Sequence, residues 1–191
     1  MFNQIWIMLL GAYLLGSIPT AYLLVRSSSG EDLRFLGDGN LGAKNAYESA
    51  GRFIGLSVAA IDIGKGFLAV SAARNIGFSN GIILLTGACV VVGHDFSIFM
   101  GFRGGQGMAT TIGVFGALFP QVTLFAFLVF LVLLAITRNW DLSCGIALFL
   151  LVAGLWSTDQ PTRQVLYSMI LLPWIFLKKL IQSWQARRFA V

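Results

Sequence analysis

Seven apolar stretches, near 5–25, 53–73, 81–100, 107–119, 121–137, 142–157 and 164–178, take up most of this 191-residue chain. Most are close to the roughly 20 residues that a helix needs to cross a bilayer. Charged residues make up only 11% of the chain, against roughly 25% in a soluble domain. The pattern therefore predicts an all-α integral membrane protein: a seven-span helical bundle forming a single transmembrane domain over residues 1–191. The fourth stretch is short and reads as a half-span or a tilted helix. Pro120 marks its turn into the fifth.

The basic residues give this bundle an orientation. With the N-terminus outside, the inner segments hold Arg26, Arg34, Lys44, Arg52, Arg103, Arg138, Lys178, Lys179, Arg187 and Arg188. The outer segments hold only Arg74 and Arg163, and Lys65 lies within a span. Positive charge accumulates on the cytoplasmic side of membrane proteins. An odd span count keeps that asymmetry and an even one breaks it. The N-terminus is thus expected outside and the C-terminus in the cytoplasm. No basic segment precedes the first span, which argues for an uncleaved helix rather than a signal peptide. The tail from Lys178 and Lys179 to Arg187 and Arg188, with Trp184 and Phe189, reads as an amphipathic anchor on anionic lipid. The basic residues are spread over several loops, so the formal charge of +5 does not signal nucleic-acid binding.

Few residues are left to carry chemistry. Cys89 and Cys144 lie in apolar runs without metal-ligand spacing and read as buried thiols. In the first span Gly11, Gly16 and Ser17 suit close helix packing, and Pro19 should kink the helix. Asp62 and Lys65 stand three apart on one face of the second span. Charges there need a partner or a cavity, so a structural ion pair and a catalytic role both remain open. His94 is the only histidine, eight residues before Phe102. A lone histidine in a span is either hydrogen-bonding glue or a functional group.

Two glycine-rich polar loops stand out. One runs Gly37-Asp38-Gly39-Asn40-Leu41-Gly42-Ala43-Lys44-Asn45, the other Phe102-Arg103-Gly104-Gly105-Gln106-Gly107-Met108-Ala109-Thr110. Glycine lets backbone N–H groups converge on an anion, and a following helix start adds positive dipole. Glycine also simply makes tight turns. Two such loops on one membrane face, with Asn and Arg retained, point to a site for a phosphorylated or otherwise anionic molecule at the lipid boundary.

The order of Tyr13-Leu14-Leu15-Gly16-Ser17-Ile18-Pro19, the two loops, Asp62-Ile63-Gly64-Lys65-Gly66 and Gly93-His94 between them resembles the acyl-phosphate-dependent glycerol-3-phosphate acyltransferases (PlsY). The likeness covers about residues 10–115 with collinear motifs. It implies a multi-pass protein of the bacterial plasma (inner) membrane. The implied enzyme moves a fatty acyl group from acyl phosphate to the 1-hydroxyl of glycerol 3-phosphate, giving lysophosphatidic acid. It implies no cofactor and no metal, with membrane lipids and the two substrates as partners. Sites in such enzymes lie in cytoplasmic loops like those at 26–52, 101–107 and 138–143. Carried over by motif, His94 and Arg103 take the catalytic roles. Gly39, Asn40, Gly42, Asn45, Gly104, Gly105 and Gly107 bind or position substrate.

The chain departs from the family pattern at Asp38, Lys44, Glu48, Gln106 and Asp141, and it lacks a C-terminal His-x-x-Asn-Ile signature. The exchanges add −1, +1, −2, −1 and −1, so a pocket holding all five would be four units more negative. A misplaced charge at about 4 Å costs on the order of 4 kcal/mol at an effective dielectric near 20. Lys44 offsets part of this if it pairs with Glu48 on a helical turn. This arithmetic keeps a second reading open: a non-catalytic relative that binds lipid or a partner protein.

Overall fold

The computed structural model describes residues 2–157, 166–171, 173–175, 177, 178 and 180. Among them every regular element is helical. The elements are α1 (Phe2–Ser17), α2 (Thr20–Ser29), α3 (Ala43–Ala50), α4 (Arg52–Asn75), α5 (Asn80–Asp95), α6 (Met108–Leu118), α7 (Pro120–Thr137), α8 (Trp140–Ser157) and α9 (Leu166–Ile175). Short 3-10 turns fill Leu33–Phe35 and Ile98–Met100. Five segments are long and apolar enough to cross a membrane: Phe2–Ser29, Arg52–Asn75, Asn80–Met100, Pro120–Thr137 and Trp140–Ser157. The apolar helices α6 and α9 are shorter. The expected anchor residues Lys179, Trp184, Arg187, Arg188 and Phe189, and the loop residue Arg163, lie outside the described residues.

The first span is broken rather than kinked. Pro19 cannot donate a backbone hydrogen bond, and its ring crowds the preceding turn, so α1 stops at Ser17 and α2 restarts at Thr20. The segment 30–51, expected as a loop, holds a helix of its own, α3. Leu33, Leu41 and Ala46 from this segment pack with Ala21 and Val25 of α2 and Val58 of α4 in a small apolar cluster. That cluster fastens the first glycine loop to the bundle. The short α6 ends at Phe119, whose N–H returns to Phe115 O at 2.7 Å, and Pro120 begins α7. Arg74 donates to Ala117 O at 2.8 Å and so satisfies a carbonyl that the early stop leaves open.

Two helix pairs form the centre of the bundle, and both depend on glycine. In α1 and α5, a Cβ on Gly16 would strike the Val90 carbonyl, and one on Gly93 would strike the Tyr13 carbonyl. In α4 and α6, Gly66 faces the Thr110 carbonyl and Gly113 faces the Ile63 carbonyl in the same reciprocal way. Lipid tails are as apolar as the helices, so close van der Waals contact between backbones drives this association. A larger cluster, including Val70, Val90, Val114, Phe115 and Leu155, fills the space around these pairs.

This packing makes a sharp prediction within one helix. Gly66→Ala should destabilise by about 1–3 kcal/mol, the usual cost of overpacking, because the Thr110 carbonyl is backbone and cannot swing away. Gly64→Ala, with nothing within 4 Å, should be neutral or slightly stabilising. Thermal unfolding of the two variants in detergent compares them, and equal effects would refute the packing account.

Candidate functional site at the break in the first span

The break at Ser17–Pro19 leaves α1 carbonyls without helical partners. Lys65 on α4 supplies the missing donor. Its Nζ bonds Gly16 O at 3.0 Å and Ile18 O at 3.2 Å, and pairs with Asp62 Oδ1 at 2.9 Å. The last α1 carbonyl, that of Ser17, accepts from the Ser97 hydroxyl. Asp62 and Lys65 are almost fully buried. A buried ion pair survives when its remaining lone pairs and protons are also satisfied. Here the ammonium donates to two carbonyls and has the carboxylate as counter-ion, while Asp62 Oδ1, on the side of His94, has no hydrogen bond of its own.

His94 completes this cluster from α5. Its Nδ1 lies 3.7 Å from Asp62 Oδ1, and a Cβ on Gly105 would collide with its Nε2. The ring is therefore wedged between the buried carboxylate and the second glycine loop. That loop is tied to α5 by the Gly105 N–H, which donates to His94 O at 3.1 Å. Phe102 holds a left-handed backbone, φ +60°, which costs a non-glycine residue of order 1 kcal/mol or more. Its N–H donates to Ser97 O at 2.8 Å. The result is a narrow cleft, its enclosed volume only about 10 Å³, lined by Ser17–Thr20, Leu41, His94, Ser97 and Arg103–Gly105. Arg103 is exposed at its mouth. The Ser17 hydroxyl is buried against it with no hydrogen-bond partner.

Below His94, the neighbouring Asp95 anchors the far end of the chain. Its carboxylate accepts from Trp174 Nε1 at 2.8 Å, and its carbonyl accepts from Lys178 Nζ at 2.9 Å. The same ammonium sits 3.7 Å over the Phe96 ring, a cation–π contact. A Cβ on Gly107, the residue that starts α6, would meet Asp95 Oδ1.

The first loop is built around Asn45 at the start of α3. Its amide donates to Leu36 O and Asn40 O, both at 2.9 Å, and its oxygen accepts from Ser49 at 3.0 Å. Asn45 is fully buried and does not line the pocket, contrary to the expected anion site on Arg103, Asn40 and Asn45. Its hydrogen-bonding groups are committed to the loop. Asn40 is also absent from the lining, though its neighbour Leu41 is there, and its Oδ1 is buried without a hydrogen-bond partner. Gly39 takes φ +69° and closes a turn onto Leu36 O, and Gly42 caps α3. Upstream, Arg34 holds Asp32 in a two-pronged contact, with N–O distances of 3.0 and 2.6 Å. That hydrogen bond lowers the Asp32 pKa from 3.8 to about 2. The contact is therefore in place above the ordinary carboxylate range and is lost as pH falls toward 2.

Both glycine loops thus reach one pocket, the first through Leu41 and the second through Arg103–Gly105. The five departures fall elsewhere. Asp38, Glu48 and Asp141 are exposed, and neither they nor Lys44 and Gln106 line the pocket. Asp38 turns its carboxylate back to the Asn40 N–H at 3.0 Å. Sequence reasoning missed Ser17 and Thr20, which it assigned to helix packing or passed over, and Ser97. The signal for Ser17 was its place beside Pro19, where a helix break opens a wall.

The glycerol-3-phosphate acyltransferase family matches residues 6–185. Glycerol-3-phosphate acyltransferase 2 of Dehalococcoides mccartyi is 37% identical over 166 residues, which are 87% of this chain and 79% of the relative. Glycerol-3-phosphate acyltransferase 1 of Deinococcus radiodurans is 40% identical over 169 residues, 87% of this chain and 85% of the relative. Among solved structures, PlsY (YgiH), an integral membrane glycerol 3-phosphate acyltransferase, superposes in its glycerol 3-phosphate form with a TM-score of 0.85. That match has 31% identity over 97% of this chain and 94% of the other. Its lysophosphatidic acid form gives 0.81, with 29% identity over 97% and 93%.

The geometry of the first loop predicts that Asn45 acts as a donor. Asn45→Asp keeps the shape but turns oxygens toward the Leu36 and Asn40 carbonyls, leaving each without its donor at about 1–3 kcal/mol apiece. Hydrogen–deuterium exchange over residues 31–50 should speed up markedly in both Asn45→Asp and Asn45→Ala. Protection at the wild-type level in Asn45→Asp would show that the amide is not what holds the loop.

Proposed function

The chain belongs to the glycerol-3-phosphate acyltransferase family, and from that premise we propose that it transfers a fatty acyl group from acyl phosphate to glycerol 3-phosphate. The product is lysophosphatidic acid, an intermediate of phospholipid synthesis. The observation that carries this reading is the pocket, where the second glycine loop, Arg103 and His94 meet at the break in an apolar helix. A charged headgroup and an acyl chain need such a boundary between polar loops and lipid.

In this reading the 1-hydroxyl of glycerol 3-phosphate attacks the acyl carbonyl carbon. The bond from that carbon to the phosphate oxygen breaks, and inorganic phosphate leaves. The hydroxyl proton passes through His94 Nε2 to the departing phosphate. Arg103 stabilises phosphate charge at the mouth, and Gly104, Gly105 and Gly107, lacking side chains, let the second loop lie close on His94 and Asp95 so that Arg103 is held there. Such preorganised groups lower the barrier by favouring charge where it develops, and holding both substrates in one pocket removes an entropic cost. Asn40, Gly39, Gly42 and Asn45 shape the first loop, which reaches the pocket at Leu41, and position substrate through it. Neither a dedicated nucleophile nor a cofactor is needed.

The finer architecture belongs to the same proposal. Residues 1–191 form one transmembrane domain of seven spans in the bacterial plasma membrane, N-terminus outside and C-terminus cytoplasmic. The pocket then faces the cytoplasm. The distribution of basic residues supports this orientation.

Purified protein given palmitoyl phosphate and glycerol 3-phosphate should form lysophosphatidic acid. Arg103→Ala should lower the initial rate by about 100-fold or more, the scale for removing one transition-state donor. No product from the folded wild type would favour the lipid- or partner-binding reading, and an unchanged rate in Arg103→Ala would move the site elsewhere. For topology, a single cysteine at Ser79, with Cys89 and Cys144 replaced, should react with an impermeant thiol reagent on intact cells. Labelling only after permeabilisation would invert the orientation.

A further inference from the structure

His94 is held from both sides of its ring. Nδ1 faces Asp62 Oδ1 at 3.7 Å, and Nε2 faces the second loop at Gly105. Asp62 is in turn fixed by Lys65 at 2.9 Å, and Lys65 is fixed by two backbone carbonyls of the broken span. An imidazole beside a carboxylate places its proton on the nitrogen that faces it, and the other nitrogen is left as an acceptor. A modest turn of the ring closes a distance of this size, and such contacts commonly tighten when substrate binds.

We propose that Asp62 and Lys65 are positioning residues that hold His94 as the Nδ1–H tautomer, with the Nε2 lone pair directed to the pocket. Lys65 has a double part: it holds Asp62 in place at 2.9 Å, and it pins the pocket wall at Gly16 and Ile18. The reacting groups, the helix break and the base are thereby set by one buried chain of contacts. Exchanging the tautomer would present an N–H to the substrate hydroxyl and remove its proton acceptor. This inference rests on the transferase reading for its catalytic consequence, but the tautomer itself is a property of the protein alone.

Because the chain has a single histidine, 15N-histidine NMR of the full chain reads that tautomer without assignment. At mildly alkaline pH the wild type in lipid nanodiscs should show Nδ1 protonated and Nε2 unprotonated. Asp62→Asn, which keeps Lys65 on its carbonyls, should shift the population toward Nε2–H. It should also lower kcat by about 10- to 100-fold, the usual scale for losing an orienting partner, with KM for glycerol 3-phosphate nearly unchanged. Should Asp62→Asn fail to fold with Lys65 left unbalanced, Asp62→Leu with Lys65→Met removes both charges together and should show the same loss of tautomer bias. In a His94→Ala background Asp62→Asn should cost little further rate. A wild-type ring protonated on Nε2, or a tautomer that both variants leave unchanged, would overturn the proposal. So would a tautomer shift with no loss of kcat, or independent, multiplying effects of Asp62→Asn and His94→Ala. An inactive wild type with the expected spectrum would overturn the transferase reading and leave the tautomer assignment standing.

Discussion

The structure depends on how a broken helix is made tolerable inside an apolar bundle. Pro19 ends α1 and leaves the Gly16 and Ser17 carbonyls without helical partners where solvent is scarce. Unsatisfied backbone groups in such surroundings cost several kcal/mol each. Lys65 and Ser97 supply the donors. Lys65 lies on α4 with Asp62, and Ser97 follows directly on the end of α5, which carries His94. Satisfying the break and assembling the pocket are therefore one event, because the donors that repair α1 belong to the elements that bring the titratable groups together.

Glycine then decides how near those elements come. Gly93 lets α5 rest against the Tyr13 carbonyl, which brings His94 to the α1 break. Gly104 and Gly105 let the second loop lie on the His94 backbone and ring. A side chain at Gly105 would occupy the space beside Nε2. These glycines work by having no Cβ, which differs from the role first read for them, that of freeing backbone N–H groups to circle an anion. Gly39 and Gly107, with positive φ, shape turns in addition.

Much of this was legible in the chain. Apolar runs located the apolar helices because burial and length are coarse, local properties; Pro120 marked a real helix end, and Pro19 a break where a kink was expected. The short apolar helix α6 was also visible. The link from Lys65 through Asp62 to His94 was not, since it joins α4 to α5 and no local spacing encodes it. Asn45 is a different case: its type and its motif suggested a ligand, and its amide ties the loop through the Leu36 and Asn40 carbonyls, a role that only its partners reveal. Helix α3 was hidden because a short polar helix in a glycine-rich segment has no apolar stripe long enough to announce it.

The same distinction between motif and placement governs the charge departures. Counted in one pocket at an effective dielectric near 20, each unit was worth on the order of 4 kcal/mol. Asp38, Glu48 and Asp141 are instead exposed and lie outside the pocket lining. In water the same interaction at the same distance is about 1 kcal/mol, and beyond a Debye length of roughly 8 Å at physiological salt little of it remains. The sum of four units therefore overstates what a phosphate in the pocket would feel. The cation among the residues lining the pocket is Arg103. The charges around the site then shape the approach of an anionic substrate, an effect on encounter rate that salt weakens, while the positioning of the reacting groups rests with the buried contacts.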